Sequence, residues 1–128
     1  MPTRKIVNPA SVSKPRVPLS PAVKVGNLVF VSGTTPFIPP GREMAPDFAG
    51  QMHQVMKNMQ AVLAEAGSSL DLVVKCNVIL TDISKFQEMN EIYRTYFKEG
   101  NYPARTTIEA PLAAPGMQLE IECVAEVA

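Results

Sequence analysis

"MQLEIECVAEVA", residues 117–128, alternates without a break. Met117, Leu119, Ile121, Cys123, Ala125 and Val127 fall on one face of an extended chain. Gln118, Glu120, Glu122, Val124 and Glu126 fall on the other. This is a strand with one apolar face and one largely polar face. Whatever covers the apolar side must come from elsewhere in the chain.

Working back from it, "ARTTIEA" (104–110) reads as a second strand that follows Pro103. "LVVKCNVIL" (72–80) is a third, with Val74, Cys76, Val78 and Leu80 on one face and Lys75 and Asn77 on the other. "AVKVGNLVFVSG" (22–33) reads as two strands around a Gly26-Asn27 turn, ending at Ser32-Gly33. Another short strand is possible at Arg4–Val7, inside an otherwise irregular, proline-rich arm over residues 1–16. Residues 34–46, "TTPFIPPGREMAP", carry four prolines and predict a long loop.

Two helices fit the remaining periodicity. Phe48, Met52, Val55, Met59, Val62, Leu63 and Ala66 recur at spacings of three and four, after a capping Asp47 and before a stop at Gly67. The second is expected from a Ser84/Gln87 capping box to about Phe97, burying Phe86, Met89, Tyr93, Tyr96 and Phe97. Two helices cannot cover both faces of a five- or six-stranded sheet. The expected fold is an α+β sandwich with both helices on one face. The other face is then solvated or meets another subunit. It is expected to carry Lys75, Asn77, Arg105, Thr107, Glu120 and Glu122.

Composition bounds the function. The 128 residues suit one domain, residues 1–128, with one core. Twelve basic residues balance twelve acidic ones, which argues against nucleic acid as a partner. No apolar run approaches the ~20 residues that cross a bilayer. No signal core opens the chain. A cytoplasmic location, no membrane partner, and buried free thiols at Cys76 and Cys123 are the expectations. One histidine and two distant cysteines offer no metal-ligand spacing.

Four places could carry chemistry. Arg105 is a permanent cation in a half-buried strand, so it needs an anion: a ligand carboxylate, or an internal partner such as Glu109, Glu120 or Glu122. Glu120 is a solvated strand residue or, if desolvated, a proton-transfer group. Ser32 and Gly33 end a strand where backbone can approach a ligand, or simply turn. Asn90, beside Met89 on the second helix, reads from position alone as a cap or packing residue.

Taken together, "AVKVGNLVFVSGTTP", "GSSLDLVVKCNVILTDISKFQEMNEIYRTYF", "PARTTIEA" and "LEIECVAEV" resemble the RidA/YjgF family of reactive-intermediate (enamine/imine) deaminases. The likeness spans about residues 17–128. It implies a chorismate-mutase-like fold and a homotrimer, with the three sheets forming an inner barrel and clefts between subunits. It implies hydrolysis of 2-aminoacrylate, 2-iminopropanoate or 2-iminobutanoate to 2-oxo acids and ammonia, without cofactor or metal. It implies Arg105 as the carboxylate anchor and Glu120 as the holder of the attacking water. Ser32, Gly33 and Asn90 match further cleft positions. Two stretches depart. In "VPLSPA", Leu19 replaces a cleft tyrosine and Pro21 a glutamine. After the arginine, Thr107 replaces a common cysteine. The resemblance therefore leaves two other outcomes: a pathway-specific deaminase of a larger aminoenoate such as 2-aminomuconate, or a non-catalytic trimer that binds small carboxylates.

Overall fold

A computed structural model describes residues 3–128. Six strands and two helices follow the expected order: β1 (Lys5–Val7), β2 (Ala22–Val25), β3 (Leu28–Thr34), α1 (Phe48–Glu65), β4 (Val73–Leu80), α2 (Phe86–Tyr93), β5 (Ala104–Glu109) and β6 (Leu119–Glu126). They form one mixed sheet in the order β1-β2-β3-β6-β4-β5. Every pairing is antiparallel except β4 with β5.

The connectivity explains why both helices share a face. β3 and β4 both run antiparallel to β6, so they are parallel to each other. α1 joins them, and α2 joins the parallel β4 and β5. Both crossovers step in the same direction along the sheet. Right-handed crossovers in one direction place their helices on the same side.

The core lies between the sheet and the helices. Met52, Val55, Met59 and Leu63 of α1 pack over Val29, Cys76, Val78, Leu119, Ile121 and Ala125, all fully buried. Asp47 caps α1, its carboxylate accepting from the Gly50 N–H at 3.3 Å. Gly67 ends it at φ +81°, a conformation that excludes most side chains. Cys76 and Cys123 stand directly opposite each other across β4 and β6 as buried free thiols.

Three local expectations need correction. The second helix is not opened by a Ser84/Gln87 box. Asp82 Oδ1 accepts from Ser84 N–H at 2.9 Å and from Ser84 Oγ at 2.7 Å, starting a 3-10 turn (Ile83–Lys85) that feeds α2. An ionised carboxylate outcompetes the neutral Gln87 amide oxygen for the Ser84 N–H, and the Ser84 hydroxyl is itself engaged as a donor. α2 also stops at Tyr93 rather than Phe97. The chain tightens there to i→i+3 bonds, Thr95 N to Ile92 O and Tyr96 N to Tyr93 O, while Thr95 Oγ1 donates to the same Ile92 carbonyl at 2.6 Å. In β4 a bulge between Val73 and Lys75 puts Val73 in the core and leaves Val74 exposed.

The opposite sheet face is left uncovered by the chain itself. It is not uniformly polar. Ile6, Val25, Phe30 and Ile108 lie on it, each 41–50% exposed. No helix among the described residues is long and apolar enough to cross a membrane.

A candidate active site in two halves

Glu120 lies on the uncovered side of β6, opposite Ile79 of β4. It is half-buried, and its neighbour on that face is Glu122. Burial, then the Glu122 charge, pushes the Glu120 carboxyl above the ordinary carboxylate range. The adjoining end of β3 is shaped around it. The register between β3 and β6 slips between Val31 and Thr34, so Ser32-Gly33 forms a bulge. A Cβ on Gly33 would stand 2.5 Å from Glu120 Oε1. Glycine is there because the carboxylate occupies that space.

Gly33→Ala is thus expected to keep the fold, within about 1 kcal/mol, because the carboxylate end can swing away. The Glu120 titration followed by NMR should then shift. An unmoved titration would mean the two groups do not touch.

Ser32 ties a second segment to this place. Its N–H donates to Pro21 O at 3.0 Å and its Oγ to Ser20 O at 2.6 Å. These bonds carry Leu19 to the rim of a cleft of about 250 Å³ whose wall includes Ser32, Gly33 and Glu120. Residues 12–17 near the N-terminus, the long 34–46 loop, the 113–117 loop, and Asn58 and Val62 of α1 also line it.

Sequence reading missed the residues that hold those loops. Asn58 and Gln51 are buried polar side chains on α1. Asn58 Nδ2 donates to Thr35 O (2.9 Å) and Phe37 O (2.8 Å). Gln51 Nε2 donates to Ala45 O (3.0 Å) and Gly116 O (2.9 Å), while its Oε1 accepts from Gln118 N–H (2.9 Å). A signal existed. Phe48, Gln51, Val55, Asn58 and Val62 repeat at three- and four-residue steps, so two amides sit within the buried stripe. A buried amide must be paired, and loop carbonyls are the partners nearest to hand.

Arg105 belongs elsewhere. Its register partner is Cys76, so it points to the helix side of the sheet, not away from it. The expected orientation of Arg105 and Thr107 was therefore reversed. The apolar Ile108, on the other face of this edge strand, points to the open side and is 49% exposed. The guanidinium lies 4.9 Å from the Tyr93 ring centroid and 5.7 Å from that of Phe86, with Nη1 3.9 Å from Met89 Sδ. These contacts brace the side chain. No carboxylate reaches it: the ion pairs among the described residues are Lys85–Glu88 and Lys98–Asp71. The internal salt bridge is thus excluded within the chain.

With Asn90, Tyr93, Tyr102 and Pro103, Arg105 lines a second, more open cleft of about 340 Å³. Thr107, two residues on, points the same way, and its Oγ1 is buried without a hydrogen-bond partner. Leaving a hydroxyl so costs about 1–3 kcal/mol. Asn90 thus lies beside Arg105, while Leu19, Ser32 and Gly33 lie beside Glu120.

The two halves do not meet in one chain. Arg105 and Glu120 project from opposite faces of the sheet. They are also two strand spacings of ~4.8 Å apart and three residues of ~3.3 Å offset along the strand. No small ligand spans that within a single subunit.

Fold and clefts define a single-sheet α+β protein with a raised carboxylate in one cleft and an unpaired arginine in another. The chain belongs to the RidA/YjgF family: the family model described as Endoribonuclease L-PSP matches residues 10–127. A RutC family protein of Pyrococcus abyssi is 38% identical over 123 residues, 95% of this chain and 96% of that one. A protein named Reactive Intermediate Deaminase A, chloroplastic, of Arabidopsis thaliana is 38% identical over 109 residues, covering 84% of this chain and 58% of that one. The crystal structure of RidA from the Antarctic bacterium Psychrobacter superimposes with a TM-score of 0.91 at 36% identity, covering 96% of this chain and 99% of that one.

Proposed function

We propose that the chain is a hydrolytic deaminase of reactive enamine and imine acids, of the 2-aminoacrylate/2-iminopropanoate type, working as a homotrimer. One observation carries this reading. The anion-binding half around Arg105 and the proton-transfer half around Glu120 are complementary, yet each is incomplete in its own subunit. A cleft between neighbouring subunits joins Arg105, Thr107 and Asn90 of one to Glu120, Ser32, Gly33 and Leu19 of the next. The uncovered face, with Phe30 and Ile108 exposed on it, supplies the apolar area for such an assembly.

In this cleft the substrate carboxylate pairs with the Arg105 fork. Glu120 accepts a proton from a water whose oxygen attacks the imine carbon. The proton that Glu120 took passes to the imine nitrogen, so the carbinolamine that forms carries the new hydroxyl and a neutral amine. Glu120 moves a proton from hydroxyl to amine, the C–N bond breaks, and ammonia leaves the 2-oxo acid. Imines hydrolyse in water unaided, so positioning plus one acid–base group is sufficient. No step needs a cofactor. The raised Glu120 carboxyl suits a group that must both take and return a proton. A cytoplasmic site of action accords with the two free thiols.

The test is a coupled assay. A dehydratase generates 2-aminoacrylate, and 2-oxo acid formation is followed with and without the protein. Acceleration is expected; rates equal to buffer on several imine acids reject the deaminase, and tight 2-oxo acid binding without turnover would leave a binding trimer. For the assembly, Phe30→Asp is expected to shift light scattering from trimer to monomer. A wild type that is already monomeric at micromolar concentration rejects the joined cleft.

A further inference from the structure

We propose that the Glu120 cleft takes a substrate with a second anionic group: a dicarboxylic enamine or imine acid whose distal carboxylate is met by Arg42 and Arg16. This rests on the deaminase reading, in which Arg105 already holds the carboxylate next to the reacting carbon. The Glu120 cleft nevertheless has cations of its own. Lys14, Arg16 and Arg42 all line it, and Glu120 is the only acid that does. None of the three forms an ion pair among the described residues. In a chain of zero net charge this is a local concentration of positive charge, not general basicity.

Arg42 is held in place. Its guanidinium lies 4.2 Å over the buried Phe37 ring. The ring contact anchors the cation, and no carboxylate among the described residues pairs with it, which leaves its N–H donors for an incoming carboxylate. The loop beneath it is braced as well. Ile38 N–H donates to Glu43 O at 2.8 Å, Gly41 N–H to Ile38 O at 3.0 Å, and Asn58 grips the Phe37 carbonyl. Ser13 Oγ donates to Gly41 O at 2.5 Å, which draws the segment bearing Arg16 to the same loop tip. The same cleft is lined by the apolar Leu19, Phe37, Val62 and Met117, with the polar Ser32, Thr34, Thr35 and Asn58 among them. A cleft that combines cations, apolar surface and one carboxylate suits a carbon chain that carries an acid at its end.

The test uses unreactive 2-oxo acids, so it does not depend on turnover. Calorimetry compares 2-oxoadipate with 2-oxohexanoate, which differ in the distal carboxylate. Wild type is expected to prefer the diacid by about tenfold, as one charge-assisted contact predicts. In Arg42→Gln, and further in Arg42→Gln/Arg16→Gln, that ratio should fall toward one. Equal affinities in wild type, or a ratio that survives both variants, overturns the proposal. If no imine acid is turned over but the ratio behaves as expected, the deaminase reading fails and the second anion site stands.

Discussion

Glu120→Gln is expected to lower imine-acid turnover by roughly 10²–10⁴-fold, the usual worth of one positioned acid–base group. The same substitution should raise stability at neutral pH. Burial, and then Glu122, lifts the Glu120 carboxyl in the folded state. Between its ordinary value and that raised value, the folded chain keeps a proton the unfolded chain has lost. Stability therefore falls as pH rises through the window, and the penalty persists above it. Glutamine cannot ionise and carries no such penalty. Melting curves at pH 4 and pH 7 check this: the variant's advantage should grow toward neutral pH. In the wild type, the acidic limb of kcat/KM should lie above the ordinary carboxylate range. A variant with wild-type turnover removes Glu120 from the mechanism.

Arg105→Ala is expected to reduce kcat/KM by roughly ten- to a hundredfold, from the loss of a charge-assisted pair worth about 1.5–3 kcal/mol. Most of the loss should fall on KM, because the carboxylate is held both before and during reaction. Arg105→Lys should recover part of it, as a point charge without the fork. The decisive version mixes subunits. In the proposed homotrimer, Arg105→Ala and Glu120→Gln are each expected to cripple every site. Randomly mixed trimers place an intact Arg105 against an intact neighbouring Glu120 in roughly one interface of four, and activity should return to about that fraction. Mixed trimers no more active than their parents would mean that both residues serve one subunit's site.

How much could be read from residues alone differs by element. The β6 alternation, the α1 stripe with Asp47 and Gly67, and the buried free thiols were legible, because burial imposes a period that side chains must obey. The edge strand β5 was misread. Its more apolar face, with Ala104 and Ile108, is the open one, and Arg105 and Thr107 face the helices, so the pattern points the wrong way. Alternation says which residues share a side, never which side the helices take. Val74 failed for a related reason: a bulge shifts the period by one without altering composition.

The sequence by itself determined that one sheet is covered on one face by two helices, and that Arg105, Thr107, Glu120, Ser32, Gly33, Asn90 and Leu19 were the residues to locate. Only the tertiary structure decided that these residues form two separate groups. Strand order and register are set by long-range pairing, with β6 inserted between β3 and β4 and β5 parallel at the edge. That pairing places Arg105 behind the sheet and Glu120 in front of it. No local pattern encodes the separation, because each strand's alternation is the same whichever way the sheet is assembled around it.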